Sequence, residues 1–290
     1  MTADRINILQ NIGDKKAVKI TYDSNAGSYA SHTMMQQRNL EVLAEKIFAI
    51  KGVFTDVLDI GAGSGLSLTH LETYADKTHF TSLVRTDISG KSLLAAPNVL
   101  YCPDIKLQCD AENLPFVDKH FSLVYANSVL HWLTAESGMP GFEKGISEAL
   151  RVTKSGGLFA ASIAAVGTSR SFFRAYESVI ALLDRYSLAA PSLEKNPIGA
   201  MELHNVVDTL LSFGAKVISA ELIYEPVLYS SAKEYIDDVK AYGYHFLLNG
   251  VEADLQSVLW EKISQSFTEE VGSGQYFHDQ YMIYVLASPT

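Results

Sequence analysis

The 290-residue sequence has only two cysteines, Cys102 and Cys109, with no Cys-x-x-Cys pair and no His/Cys cluster. Neither a disulfide framework nor a structural zinc site follows from so sparse a set, and no metal site is expected. Long apolar runs are also missing: the longest, Leu158 to Val166, falls far short of the roughly 20 residues that span hydrocarbon. No signal-peptide pattern opens the chain, and the early acids Asp4 and Asp14 argue against an acid-poor presequence. The expectation is a cytoplasmic chain without a membrane partner. Basic residues are in deficit, 23 against 33 acids, for a formal net charge of −10. Such a surface repels nucleic acid unless basic side chains gather on one face. The densest cluster, Lys15, Lys16 and Lys19, reads as a solvated helix face, so no nucleic-acid partner is expected.

What is present describes a folded chain. Hydrophobic residues make up 48% and charged residues 19%, enough apolar surface to offset the entropy of ordering. Leu40, Leu43, Ile47 and Ile50 recur at three- and four-residue spacings, which predicts an amphipathic helix over 33–50. Val53 to Ile60 is a β-branched, apolar run of the kind found in a parallel strand covered on both faces. Similar runs at His79 to Val84, Phe121 to Tyr125 and Leu158 to Ile163 are separated by segments of helical spacing. This βαβ alternation predicts an α/β fold, a doubly wound Rossmann-like, mainly parallel sheet that binds ligands beyond the carboxyl ends of its strands. Beyond Ala165 a Tyr-, Ala- and Leu-rich stretch reads as a helical cap insertion, and 202–213, 231–242 and 251–268 read as further helices. The stretches 216–229 and 275–287 read as strands.

The chemistry is concentrated after the first of those strands. Val57-Leu58-Asp59-Ile60-Gly61-Ala62-Gly63-Ser64-Gly65 is a buried strand running into three glycines at two-residue spacing. Glycines let backbone approach a ligand closely, and amides at a following helix N-terminus attract an anionic group. The dinucleotide fingerprint needs its third glycine one residue later, where Leu66 stands. The acid Asp59 suits a ligand with positive charge, such as the amino group and sulfonium of S-adenosyl-L-methionine, better than a pyrophosphate. Asp87 ends the next strand near the offset at which an acid meets ribose hydroxyls, and Asp110 follows the third strand within reach of an adenine amino group. Any one such Asp serves equally as a turn or helix cap. Three in register after successive strands point to a cofactor.

On these motifs the stretch from about Tyr22 to Ala165 resembles the class I S-adenosylmethionine-dependent methyltransferases. They include Asp59 to Gly65, Asp87-Ile88-Ser89, Asp110 to Phe116, and Ala149-Leu150-Arg151-Val152-Thr153-Lys154-Ser155-Gly156-Gly157. The resemblance implies cofactor contacts from Asp59, Gly61, Ala62, Gly63, Asp87, Ile88, Asp110, Ala111 and Asn127, with Tyr29 over the cofactor. It further implies a single domain over 1–290, with a helical lid over 1–50, a cofactor-binding core over 53–165, and substrate cap segments over 166–200 and 230–272. Where the family often has Phe-Asp before the fourth strand, this chain has Phe121-Ser122.

A longer, fainter similarity is to the malonyl-acyl-carrier-protein O-methyltransferases of biotin synthesis. It rests on Tyr22-x3-Ala26-x2-Tyr29-x6-Gln36, Ala126-Asn127-Ser128-Val129-Leu130-His131-Trp132, Tyr229-Ser230-Ser231-Ala232, Asp238 to Gly243, and the tail Tyr276 to Tyr284. The implied acceptor is the free carboxylate of a malonyl thioester on acyl carrier protein, which is ionised near neutral pH and needs no base. A phenol or carbon acceptor needs one, and His131 is the candidate by position, with packing beside Trp132 as its alternative. Arg170 and Arg174, four apart on one helical face, are candidate cations for a carboxylate. Ser171-Phe172-Phe173 stands where the carrier-type enzymes often have Glu-Leu-Arg. Competing expectations are a methyltransferase of another small molecule, a free acid, phenol or carbon centre, and a non-catalytic assembly factor on the same fold.

Overall fold

A computed structural model describes residues 15–27, 34–50, 52–66, 80–100, 102–185, 196–241, 244–248, 253–272 and 276–290. A seven-stranded sheet organises them: β1 (Asp56–Ile60), β2 (Ser82–Asp87), β3 (Asp104–Gln108), β4 (Phe121–Asn127), β5 (Thr153–Ala164), β6 (Lys216–Tyr224) and β9 (Tyr281–Ser288), in the order β3-β2-β1-β4-β5-β9-β6. β7 (Val227–Tyr229) and β8 (Tyr276–His278) form a separate antiparallel pair. The first five strands of the sheet pair in parallel, and only β9 runs against its neighbours. The order reverses at β1/β4, the switch point where such sheets open a ligand crevice.

Alternation along the central strands assigns the two faces, because successive side chains of a strand point to opposite sides. Leu123 and Tyr125 of β4, with Met282, Tyr284 and Leu286 of β9, pack beneath α2 (Met34–Ala49). The same core takes in α5 (Arg170–Arg185), α7 (Ala232–Ala241) and α8 (Ala253–Val271) through Phe172, Tyr235 and Trp260. Val124 and Ala126, with Ile283 and Val285, face the other way onto Phe142, Ile146 and Leu150 of α4 (Met139–Val152) and Val206 and Leu210 of α6 (Leu203–Ser212). Helices α1 (Lys15–Asn25) and α3 (Gly90–Ala95) lie together at the β2 side.

Several boundaries differ from the sequence expectation. β2 begins at Ser82, later than the apolar run from His79, and ends at Asp87 as expected; it runs past Val84 because the fully buried Arg85 guanidinium pairs with Asp104 at 2.5 Å. Its charge therefore does not end the strand. β3 is an edge strand of alternating polar residues and has no apolar run. The predicted strand 216–229 breaks at Glu225-Pro226 into β6 and β7, and the closing strand breaks at Asp279-Gln280 into β8 and β9. Proline removes the ladder donor at the first break. No helix among the described residues is long and apolar enough to cross a membrane.

Candidate active site

The glycine loop is bolted to the neighbouring strand. The Ala62 amide donates to Thr86 O at 2.9 Å, and the Gly65 amide closes a turn on Ala62 O at 2.9 Å. Gly61 has φ +70, and a Cβ there would overlap the Val129 side chain. Only glycine meets both demands, so the backbone of the loop, rather than a side chain, faces the crevice. Gly61 and Gly63 line a cavity of about 840 Å³, its open mouth included.

Asp87 lies across that loop. Its Oδ2 accepts the Gly63 amide at 2.9 Å and its Oδ1 accepts the Ser89 amide at 2.7 Å. Burial pushes its pKa above the ordinary carboxylate value, with the two amide bonds acting in the opposite direction. Ile88, Asp110, Ala111 and Asn127 line the same cavity. Asp59 and Ala62 do not: Asp59 is 1% exposed within β1, and Ala62 is buried behind the loop. Tyr29 lies outside the described residues.

The loop after β3 carries Asp110 and is held from behind. Leu114 N donates to Glu148 Oε2 at 2.8 Å, while Arg151 meets Glu148, the Leu114 carbonyl and the Phe116 carbonyl at 2.8, 2.9 and 2.7 Å. In front, Lys15 of α1 reaches Asp110 at 2.6 Å and Glu112 at 2.7 Å. Lys15, Val18 and Tyr22 make α1 a wall of the cavity. Lys15 is thus a site-wall residue, which the solvated-face expectation for the lysine cluster missed.

A second cavity, of about 420 Å³, adjoins the first across shared walls of Tyr22, Ser128 and Trp132. Ser128 has φ +57, unusual for a non-glycine residue. It is fixed by Ser162, which meets its amide through both carbonyl (3.0 Å) and hydroxyl (2.9 Å), and by Asn39, which donates to its Oγ at 2.9 Å. Asn127 ties the end of β4 to α2, donating to Gln36 O at 3.1 Å and accepting the Ser162 hydroxyl at 2.7 Å. The rings of Tyr22 and Trp132 meet edge to face at 5.9 Å and 88°.

His131 lines this inner cavity at 4% exposure. The Ala164 amide donates to its Nδ1 at 3.4 Å, and burial pushes its pKa down to about 3. His278 is likewise buried and shifted to about 3; its Nε2 lies 3.0 Å from Ser169 Oγ and its Nδ1 3.2 Å from Tyr235 Oη. Gln280 donates to Asn39 Oδ1, and its own Oε1 is buried without a hydrogen-bond partner. None of the described residues lining this cavity is Asp, Glu, Lys or Arg.

Arg170 and Arg174 stand apart from it. Both are exposed and line an outer groove that shares only Thr168 and Ile198 with the inner cavity, and Arg174 pairs with Glu270 at 2.9 Å. The inner-cavity residues Asn39 and Gln280 escaped sequence reasoning. Their only signal was polarity at positions inside or beside otherwise apolar periodic segments.

Comparison with known proteins agrees with this geometry. The family described as "Methyltransferase domain" matches residues 58–161, from mid-β1 to β5. The matched stretch, which holds the glycine loop, Asp87 and Asp110, is thus similar to a methyltransferase domain. Among curated relatives, the malonyl-[acyl-carrier protein] O-methyltransferase of Buchnera aphidicola is 30% identical over 166 residues, 57% of this chain and 62% of that protein. The enzyme of the same name from Geobacter sulfurreducens is 27% identical over 169 residues, 58% of this chain and 60% of that one. The chain thus matches about three fifths of the length of each. A solved loganic acid methyltransferase with S-adenosylhomocysteine shares the fold at a TM-score of 0.65, with 8% identity, 96% of this chain covered and 98% of that one.

The residues present fit that cofactor. The glycine cradle that a Cβ would fill, the Asp87 carboxylate in the same cavity wall, and Asp110 after β3 supply close backbone approach and two hydrogen-bond acceptors.

Proposed function

We propose that the chain transfers a methyl group from S-adenosyl-L-methionine to a carboxylate oxygen of an acceptor seated in the inner cavity. The acceptor we assign is the free carboxylate of a malonyl thioester on acyl carrier protein, a reading supported by relatives named malonyl-[acyl-carrier protein] O-methyltransferase. The observation that carries this proposal is the absence of an available base among the described residues lining that cavity. It holds no carboxylate or lysine, the Nδ1 of His131 is engaged by a backbone amide, and both nitrogens of His278 are engaged by hydroxyls. A phenol, alcohol or carbon acid would find no available base among the described residues lining the cavity, whereas a carboxylate arrives ionised.

The cofactor supplies an electrophilic methyl on a sulfonium, whose sulfur keeps the bonding pair as the acceptor oxygen attacks. In this assignment Asp87 accepts ribose hydroxyls, Asp110 faces the adenine amino group, and the Gly61–Gly63 backbone receives the amino-acid end. Asn127 and Ser128 fix the wall between the two cavities. Tyr22 and Trp132 narrow the junction, so that the acceptor is aligned and stripped of water before transfer. Residues 1–50 act as lid, and 166–200 with 230–272 as acceptor cap. The exposed Arg170 and Arg174 flank the outer approach, where they steer an anionic acceptor rather than touch its reacting end.

The test is incubation with methyl-labelled donor and, in parallel, malonyl carrier-protein thioester and free dicarboxylic acids. A base-labile methyl ester on the thioester is expected. Ester formed only on free acids moves the acceptor but keeps the chemistry; label in a base-stable ether or carbon product overturns the proposal.

A further inference from the structure

We propose that His131 is the hydrogen-bond donor that holds the reacting carboxylate of the acceptor, and that it does not act as a base. The inference rests on the carboxylate reading of the inner cavity and assigns that cavity its grip.

The argument begins with the ring nitrogens. Backbone N–H groups only donate, so the Ala164 amide at 3.4 Å makes Nδ1 of His131 an acceptor and fixes it in the unprotonated state. A neutral imidazole carries its single proton on the other nitrogen, so Nε2 is an N–H donor. Burial keeps the ring neutral throughout the physiological range. The donor is also well placed along the chain. His131 sits on the 3-10 turn Leu130–Leu133, two residues beyond Val129, which packs against the glycine loop, and beside Trp132, which walls both cavities.

The charged surroundings favour a neutral grip. Among the described residues, the ionisable ones lining the cavity with His131 are His278, whose two nitrogens are engaged, and the phenols Tyr22 and Tyr244, the latter bonded to Ser169 and held above its ordinary pKa by burial. Ala164 and Met282 come from β5 and β9, and Met35, Gln36 and Asn39 from α2, all uncharged. An arginine pairing with the acceptor would hold it firmly but would withdraw charge from the attacking oxygen. A single N–H donor orients one carboxylate oxygen and leaves the other free to attack.

The test pairs two variants with a pH profile. His131→Ala removes the donor; His131→Gln restores a side-chain N–H without a titrating nitrogen. With a methylated carboxylate acceptor, His131→Ala is expected to lower kcat/KM by about 10- to 100-fold, the range for a hydrogen bond to a charged group. S-adenosylhomocysteine affinity should stay within about twofold to threefold, well under the tenfold that 1.4 kcal/mol represents. His131→Gln should recover most of the loss, and the wild-type rate should be flat from about pH 5.5 to 8, where an unperturbed histidine titrates. The proposal is overturned by an acid limb in the wild-type profile that both variants abolish, or by a folded His131→Gln as slow as His131→Ala. Full activity of His131→Ala overturns it too. Should His131→Ala not fold, ¹⁵N NMR of wild-type imidazoles decides: a non-titrating Nε2–H tautomer supports the donor, and titration between about pH 5.5 and 8 contradicts it. If the wild type methylates no carboxylate at all, the functional reading fails. Carboxylate turnover indifferent to residue 131 removes only the donor role.

Discussion

Lys15 of α1 places its Nζ between Asp110 Oδ2 at 2.6 Å and Glu112 Oε1 at 2.7 Å, joining this helix to the loop after β3. The same helix walls the glycine-loop cavity with Val18 and Tyr22, so the ion pair is a strap across a binding site. All three side chains keep some solvent exposure, and pairs of that kind are worth up to about 1 kcal/mol. Lys15→Met should therefore raise the dissociation rate of S-adenosylhomocysteine by about threefold to fivefold and abolish its salt dependence. Stopped-flow dissociation at two ionic strengths measures this. Unchanged or slower release would show that α1 does not strap the site.

At the loop itself, Gly61→Ala introduces two separate penalties. A non-glycine residue at positive φ costs about 1 to 2 kcal/mol, and overlap with Val129 adds about 1 to 3 kcal/mol of overpacking. Gly272→Ala, just past the C-terminal end of α8, is the control, with φ +75 and no atom within 4 Å of its added Cβ. Thermal melts should show the larger loss at position 61, and only that variant should weaken cofactor binding, by tenfold or more. Equal losses would mean that contact with Val129 does not shape the loop.

Glu148 holds the cofactor side of the site from outside it. Replacing it with Ala leaves the Leu114 amide without its acceptor and Arg151 without its two-point partner. Leaving the Leu114 amide without an acceptor and opening a partly exposed ion pair costs about 1 to 3 kcal/mol. Stability should fall by that order, and affinity for S-adenosylhomocysteine should fall with it, although Glu148 does not line the cavity. Calorimetry that finds affinity intact in a destabilised Glu148→Ala would separate the clamp from the site.

Acid should destabilise the fold through its inner cavity. His131 and His278 are both held near pKa 3 by burial, against about 6.5 in an unfolded chain. Between those values the unfolded state binds more protons, so stability is complete above pH 6.5 and is lost as pH falls toward 3. Each histidine contributes a slope of up to about 1.4 kcal/mol per pH unit in that window. Asp87, pushed upward, acts with the opposite sign. Melting temperatures from pH 7.5 down to 5 should drop, and His278→Gln should make the drop shallower. An unchanged slope in that variant would place the acid sensitivity elsewhere.

How much of this was legible in the sequence depended on whether the signal was local. The glycine loop, Asp87 and Asp110 were readable because strand, turn and acid are contiguous, and Gly61, Gly63, Asp87 and Asp110 border one cavity, while Asp59 and Ala62 are buried in the strand and behind the loop. Strand β3 was obscured because an edge strand has no need of an apolar run. The apolar run that marks β2 stops at Val84, short of the Asp87 that ends the strand, because Arg85 between them finds its partner 19 residues away in Asp104. The inner cavity lay beyond sequence reasoning for a similar reason: Asn39 and Gln280 meet across 241 residues, and no pattern in either segment names the other. Arg170 and Arg174 show the converse, since their spacing marked a shared helix face but not the groove that face overlooks.

The central claim is that the glycine-loop cavity holds S-adenosylmethionine, and calorimetric titration with S-adenosylhomocysteine, with NAD as competitor and Asp87→Ala as control, tests it most directly. The expected result is one site per chain in the wild type, no binding of NAD, and at least a tenfold loss of affinity in Asp87→Ala. A folded wild type that takes up NAD, or that leaves S-adenosylhomocysteine unbound, would contradict the account.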